Sequence, residues 1–200
     1  MQTSSERAAP KKPSFKQQQL RQRETALVTA GGQLLATKGY ERTTIDDIIG
    51  VVGISKPTFY SHFASKEALA IKVIVSGLET ALSKLETFAA AMPPGEASRA
   101  MIEWAIDNQF GPDGEPSFSG ALAFFDHDDV LAAESRLTGR LADLINRGQQ
   151  EGTIEKTVDA RLLSRTFRSI LKDNSFFDRS GEGKADLSEI KSGMIRLLLG

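Results

Sequence analysis

An all-α fold is what this 200-residue sequence predicts, and three observations predict it. Apolar residues recur at three- and four-residue spacing along most of the chain, the period of a helix with one buried face. Ser, Thr and Asp stand before these runs and Gly or Pro after them, as helix starts and stops require. No stretch alternates apolar and polar residues as a half-buried strand does. An apolar share of 40% is enough for a packed core.

Taken in order, residues 1–19 are polar, hold Pro10, Pro13 and four basic side chains, and lack periodicity. They read as a disordered basic arm, able to grip phosphate or the minor groove beside a main contact or simply a passive tail. A first helix is expected over Lys16–Lys38, with Leu20, Leu27, Ala30, Leu34 and Leu35 inward, Gly39 as its stop and Tyr40 packing the corner. Thr44 followed by Asp47 reads as a capping box. The helix it opens carries Ile45, Ile48, Ile49 and Val52 on one face, and Gly53 ends it by accepting a left-handed conformation. Ser55 caps a short helix whose first turn tolerates Pro57, with Phe59 and Phe63 four apart on its apolar side. Ser65 caps a third helix running to about Ala91, where Met92-Pro93-Pro94-Gly95 breaks it. Two helices joined by a tight Gly turn, with a third at once behind, are the layout of a helix-turn-helix.

The second of these helices has the side chains that such a motif needs. Lys56 and Thr58 can donate to base acceptors or phosphates, and Pro57 and the Thr58 methyl can touch a thymine methyl. Lys56, Pro57, Thr58 and Tyr60 are therefore expected at bases. Ser61, His62 and Lys66 along its rim, with Thr43 and Thr44 at the preceding helix start, suit phosphates. A plain capped hairpin in a core would have no need of this polar rim.

These residues resemble the TetR-type transcriptional regulators. The resemblance runs from Leu34-Leu35-Ala36-Thr37-Lys38-Gly39-Tyr40 through Thr43-Thr44-Ile45 and Gly53-Ile54-Ser55-Lys56 to Phe59-Tyr60-Ser61-His62-Phe63 and Ser65-Lys66-Glu67-Ala68-Leu69. The sequence departs from the family's pattern at Ile49-Gly50-Val51-Val52, where a small residue, two polar ones and Ala are usual, and at Gly31 and Gly32, where Ala is commoner. Gly50 should weaken its helix by up to about 1 kcal/mol relative to Ala. The resemblance implies a DNA-binding domain over residues 20–66 and a helical effector-binding and dimerisation domain over 67–200. It also implies that the last two helices form a four-helix bundle with those of a partner copy.

Charge is divided in the same sense. Residues 1–66 hold ten Lys and Arg against five acids, and residues 67–200 fifteen against twenty-one. A basic front and an acidic rear fit a chain that meets phosphate at one end only. No apolar run approaches the roughly eighteen residues of a membrane span, and the N-terminus has no apolar signal-peptide stretch, so the chain is expected in the cytoplasm. Without Cys, and with only His62 and His127 as imidazoles, thiolate chemistry and Cys-based zinc sites are excluded. No nucleophile elbow or phosphate-binding Gly loop is present. An enzyme is not expected, nor is a cofactor.

The rear half reads as further helices over Glu96–Phe110, about Asp129–Gln149 with Gly152 as stop, and Asp159 to about Phe177. A last one is capped by Asp186, a Gly/Pro loop lies at 111–116, and a short apolar piece spans Phe118–Phe125. Leu162, Phe167, Ile170 and Leu171, with Leu187, Ile190, Met194 and Leu198, offer two apolar stripes that could pair across a two-fold axis or bury against their own chain. Met101, Trp104, Ala105, Phe118, Leu122, Phe124, Phe125 and Phe167 are the candidate walls of a small-molecule pocket, and equally candidates for plain core. His127, between Asp126 and Asp128, is placed with the pocket residues and invites a metal or an acid-base role, but acids at a helix start are ordinary. The reading is a DNA-binding regulator, a homodimeric repressor released from a palindromic operator by an effector in the C-terminal domain. The alternative is an architectural DNA-binding protein without an effector.

Overall fold

The computed structural model of the protein describes residues 14–109, 124, 126–172 and 187–200. Among the described residues the secondary structure is helical throughout, as the periodicity requires. Among these residues eight α-helices follow one another: α1 (Phe15–Lys38), α2 (Ile45–Val52), α3 (Lys56–His62), α4 (Lys66–Ala91), α5 (Pro94–Gln109), α6 (Asp128–Glu151), α7 (Ala160–Lys172) and α8 (Leu187–Leu199).

The expected caps are present. The Thr44 hydroxyl accepts from the Asp47 N–H while the Asp47 carboxylate accepts from the Thr44 N–H, so α2 opens on a full capping box. Gly53 closes it at φ 73°, ψ 36°, in the left-handed region. Ser55 and Ser65 accept from the Thr58 and Ala68 N–H groups at the starts of α3 and α4. Gly152 ends α6 at φ 75°, and the Asp159 carboxylate accepts from the Arg161 and Leu162 N–H groups at the start of α7.

Several expectations are corrected. The first helix begins at Phe15, with Ser14 and Gln17 forming a capping box, so residues 15–19 belong to α1 and not to a disordered arm. Leu20 is exposed, because residues 15–23 at the start of α1 are exposed throughout and Leu27 is the first residue of the helix to be buried. Helix α5 starts at Pro94, two residues early, since proline is tolerated in a first turn. The expected loop at 111–116, the extension of α7 to Phe177 and the Asp186 cap lie outside the described residues.

Helices α1, α2 and α3 form a head around Leu27, Leu35, Ile48, Phe59 and Phe63, closed by Leu69 of α4. Gly31 lets α1 approach α4 closely: a Cβ there would stand 3.0 Å from Leu69 Cδ2. The body packs α4, α5, α6 and α7 together, with α8 against α5. A two-pronged ion pair from Arg140 Nε and Nη2 to Glu86, at 2.7 and 3.1 Å, joins α6 to α4. The 26-residue α4, about 39 Å long at 1.5 Å per residue, therefore belongs to both head and body.

Candidate nucleic-acid interface and interior cavity

Helix α3 is held by its apolar side and shows its polar side. Phe59 is fully buried and Phe63 nearly so, while Lys56, Pro57, Tyr60 and Ser61 are exposed and Thr58 and His62 half-buried. Lys56 Nζ lies 3.2 Å from both carboxylate oxygens of Asp46, in a pair exposed on both sides. Such a pair exchanges readily for a phosphate or a base acceptor. The Tyr60 ring stands edge-on to Phe59 at 5.5 Å between centroids, which aims its phenol outward. The Ser61 hydroxyl donates to the Thr58 carbonyl and can still accept. Thr44 is exposed at the start of α2.

Two expected phosphate contacts stand elsewhere. Thr43 is completely buried and its hydroxyl lies within hydrogen-bond distance of the Leu34 and Gly39 carbonyls. It fastens the end of α1. The Lys66 ammonium donates to the Tyr40 and Thr43 carbonyls, both at 2.9 Å, and lies 4.1 Å from the centroid of the Tyr40 ring. It ties the first residue of α4 to the α1–α2 corner. Tyr40 in turn meets Phe124 edge-on at 4.7 Å. Burial, and then the Glu67 and Glu41 carboxylates, push the Tyr40 phenol up from its ordinary value, so this corner ring stays neutral.

A cavity of about 130 Å³ lies in the body between α4, α5, α6 and α7. Met101, Trp104, Ala105 and Phe167 line it as expected. Phe124 does not, being spent on Tyr40, and neither does His127, which caps α6 by accepting from the Asp129 N–H. Phe118, Leu122 and Phe125 lie outside the described residues. Ile74, Leu78, Leu137 and Leu141 add apolar wall, and Asn108, Thr138, Ser164, Arg168 and Lys172 add polar groups. The polar residues of α7 were missed by a reading that sought apolar stripes. Their signal was present, since Ser164, Arg168 and Lys172 follow at four-residue spacing on one helix face. Glu134 of α6 faces both cations, 3.5 Å from Arg168 Nε and 2.7 Å from Lys172 Nζ. Burial lowers the Arg168 guanidinium from its ordinary value, against the pull of Glu134.

Known proteins agree with this arrangement. The family profile described as bacterial regulatory proteins, tetR family, matches residues 27–73, which include α2, α3 and the corner. The HTH-type transcriptional regulator TcmR of Streptomyces glaucescens is 32% identical over 163 residues, 80% of this chain and 69% of that protein. The chain belongs to the TetR family. A second relative, the HTH-type transcriptional regulator EthR of Mycolicibacterium smegmatis, is 31% identical over 144 residues, 69% of this chain and 66% of its own length. The fold matches that of the transcriptional regulator FadR from Bacillus subtilis, solved with stearoyl-CoA, at a TM-score of 0.66 and 16% identity over 88% of this chain and 97% of that one. This TetR-family chain is accordingly a DNA-binding transcriptional regulator and not an enzyme. None of its described helices is long and apolar enough to cross a membrane.

Proposed function

We propose that this TetR-family regulator acts as a homodimeric repressor that leaves a palindromic operator when a small molecule fills the α4–α7 cavity. One observation carries the reading: α4 holds the head through Lys66 and lines the cavity through Ile74, Gly77, Leu78 and Ala81. An occupant that displaces α4 thus moves the head with it. Tyr40, wedged between Lys66 and Phe124, couples the corner to the segment preceding α6. An architectural protein would have no use for such a cavity.

In this reading Lys56, Pro57, Thr58 and Tyr60 face bases and Thr44, Ser61 and His62 face phosphate. Residues 15–65 serve as the DNA-reading unit and α4 onward as the effector and dimer unit. The two-fold symmetry of an operator calls for two heads. Much of each apolar stripe is used inside the chain, with Phe167, Leu171, Met194 and Leu198 all buried. Leu162 and Leu197 remain exposed, with Ile170 and Ile190 half-buried beside them, and these supply the dimer face. FadR of Bacillus subtilis carries its stearoyl-CoA on the same fold.

Replacing the half-buried Ala105 of the cavity wall by Phe tests the coupling. The variant should stay helical and dimeric in sedimentation while binding its operator about tenfold more weakly, a coupling of ordinary size. Unchanged operator affinity in a folded dimer would sink the release mechanism, and a monomer at micromolar concentration would sink the dimer.

A further inference from the structure

Resting on the reading of the cavity as the effector site, we propose that the effector is an uncharged molecule: an apolar body of about one ring bearing a hydroxyl or N–H that donates to the Ser164 oxygen. Among the described residues, the charged side chains lining the cavity are Arg168 and Lys172, and the rest of the wall is apolar or neutral. Arg168 Nε lies 3.5 Å and Lys172 Nζ 2.7 Å from the Glu134 carboxylate, which does not line the cavity. Both cations are thus committed to partners within the protein. A charged ligand would leave water for a site that offers it no counter-ion, which costs far more than burying a neutral dipole. An uncharged ligand avoids that cost.

The hydroxyls of the wall set the ligand's polar group. The Ser164 hydroxyl donates to the Arg161 carbonyl at 3.0 Å, and the Thr138 hydroxyl to the Glu134 carbonyl at 2.9 Å. A helix carbonyl can only accept, so the direction of both bonds is fixed and each oxygen keeps acceptor capacity. The fitting ligand group is therefore a donor, and one that only accepts finds no partner in either hydroxyl. Ser164 is 1% exposed, whereas Thr138 is half-buried. The Ser164 oxygen is the one shut off from bulk water, so it gains most from a ligand proton. The volume of about 130 Å³ is close to that of an apolar cavity known to admit a single benzene ring, which limits the body to a ring or a short chain. Met101, Trp104 and Phe167 supply the apolar surface that such a body covers.

Titration of the full-length chain, without DNA, with benzyl alcohol, ethylbenzene, benzylamine and benzoate tests this, since the four share a ring and differ in charge and donor. Trp104 is the single tryptophan of the chain and lines the cavity, so its emission, read beside the heat of binding, reports occupancy. At neutral pH benzyl alcohol should bind about tenfold or more tighter than benzylammonium or benzoate. Ser164→Ala should weaken benzyl alcohol about fivefold and leave ethylbenzene within about twofold, because the methyl analogue has no hydrogen bond to lose. Retained ethylbenzene binding also shows that the variant keeps its cavity. Either ion binding as tightly as the alcohol overturns the assignment and leaves the cavity standing. So does a Ser164→Ala variant that holds the alcohol unchanged or loses alcohol and ethylbenzene alike. No binding by any of the four at millimolar concentration overturns the cavity reading underneath it. Binding of the alcohol with no effect on operator affinity would leave the ligand class standing and contradict the release mechanism instead.

Discussion

The Lys66 ammonium caps the Tyr40 ring at 4.1 Å and donates to the Tyr40 and Thr43 carbonyls. A cation in this position donates to two carbonyls of the α1–α2 corner and adds an attraction to the ring face. The first residue of the helix that enters the body is thus bonded to the α1–α2 corner of the head. Head and body share a charge-assisted tie.

Lys66→Ala should therefore act on stability. Losing two charge-assisted hydrogen bonds at a half-buried site should cost about 2 kcal/mol in denaturant unfolding. The dependence of DNA affinity on salt should keep its slope, because this ammonium already has partners inside the protein. A slope reduced by about one with stability intact would return Lys66 to the phosphates.

Asp47 predicts a pH dependence. The Lys38 ammonium at 2.9 Å, with the Thr44 N–H and hydroxyl, holds its carboxyl down at about 2. A carboxyl lowered in the folded state contributes stability that is fully present above its ordinary value near 4 and is lost as pH falls toward the lowered one. Wild type should lose stability between about pH 4 and 2 through this group, and Asp47→Asn should flatten that part of the profile. Equal slopes for both proteins would contradict the assignment.

Two glycines should respond in opposite directions. Gly50 is exposed in the interior of α2 and a Cβ there meets nothing within 4 Å, so Gly50→Ala should stabilise by about 0.5–1 kcal/mol. Gly148 lies under the buried Ile154, whose Cδ1 and Cγ1 would stand 2.6 and 2.9 Å from an added Cβ. Gly148→Ala should cost about 1–3 kcal/mol by overpacking. Thermal unfolding of both variants reads the pair directly.

Lys56→Ala should leave stability almost unchanged, since its exposed pair with Asp46 is worth about 0–1 kcal/mol. It should relax base preference at one step of each half-site by about 1–3 kcal/mol. Uniform weakening on all duplexes would make Lys56 a phosphate contact instead.

The head was legible in the sequence because its signals are local. Thr44 with Asp47, Gly53, Ser55 and Ser65 each act within four residues of themselves, so cap chemistry alone set the starts of α2, α3 and α4. Thr43 and Lys66 were misplaced because their partners lie elsewhere in the chain, Lys66 reaching back to Tyr40 across 26 positions. Polarity near a recognition helix did not reveal that both side chains point inward. The cavity was half legible for the same reason. Met101, Trp104 and Phe167 announce themselves by size, whereas Arg168 and Lys172 pair with Glu134, which only the packing of α7 on α6 brings beside them. Leu20 misled because a correct helical period says nothing about where the neighbouring helices end.

The most direct measurement is selection of bound duplexes from a random pool by the full-length protein at physiological salt. A homodimeric operator-binding protein enriches a two-fold symmetric sequence whose half-sites stand about one helical turn, or a multiple of it, apart. Lys56→Ala then loses preference at one step of each half. Recovery of unenriched sequence, with weak binding that falls steeply with salt on every duplex alike, would contradict it.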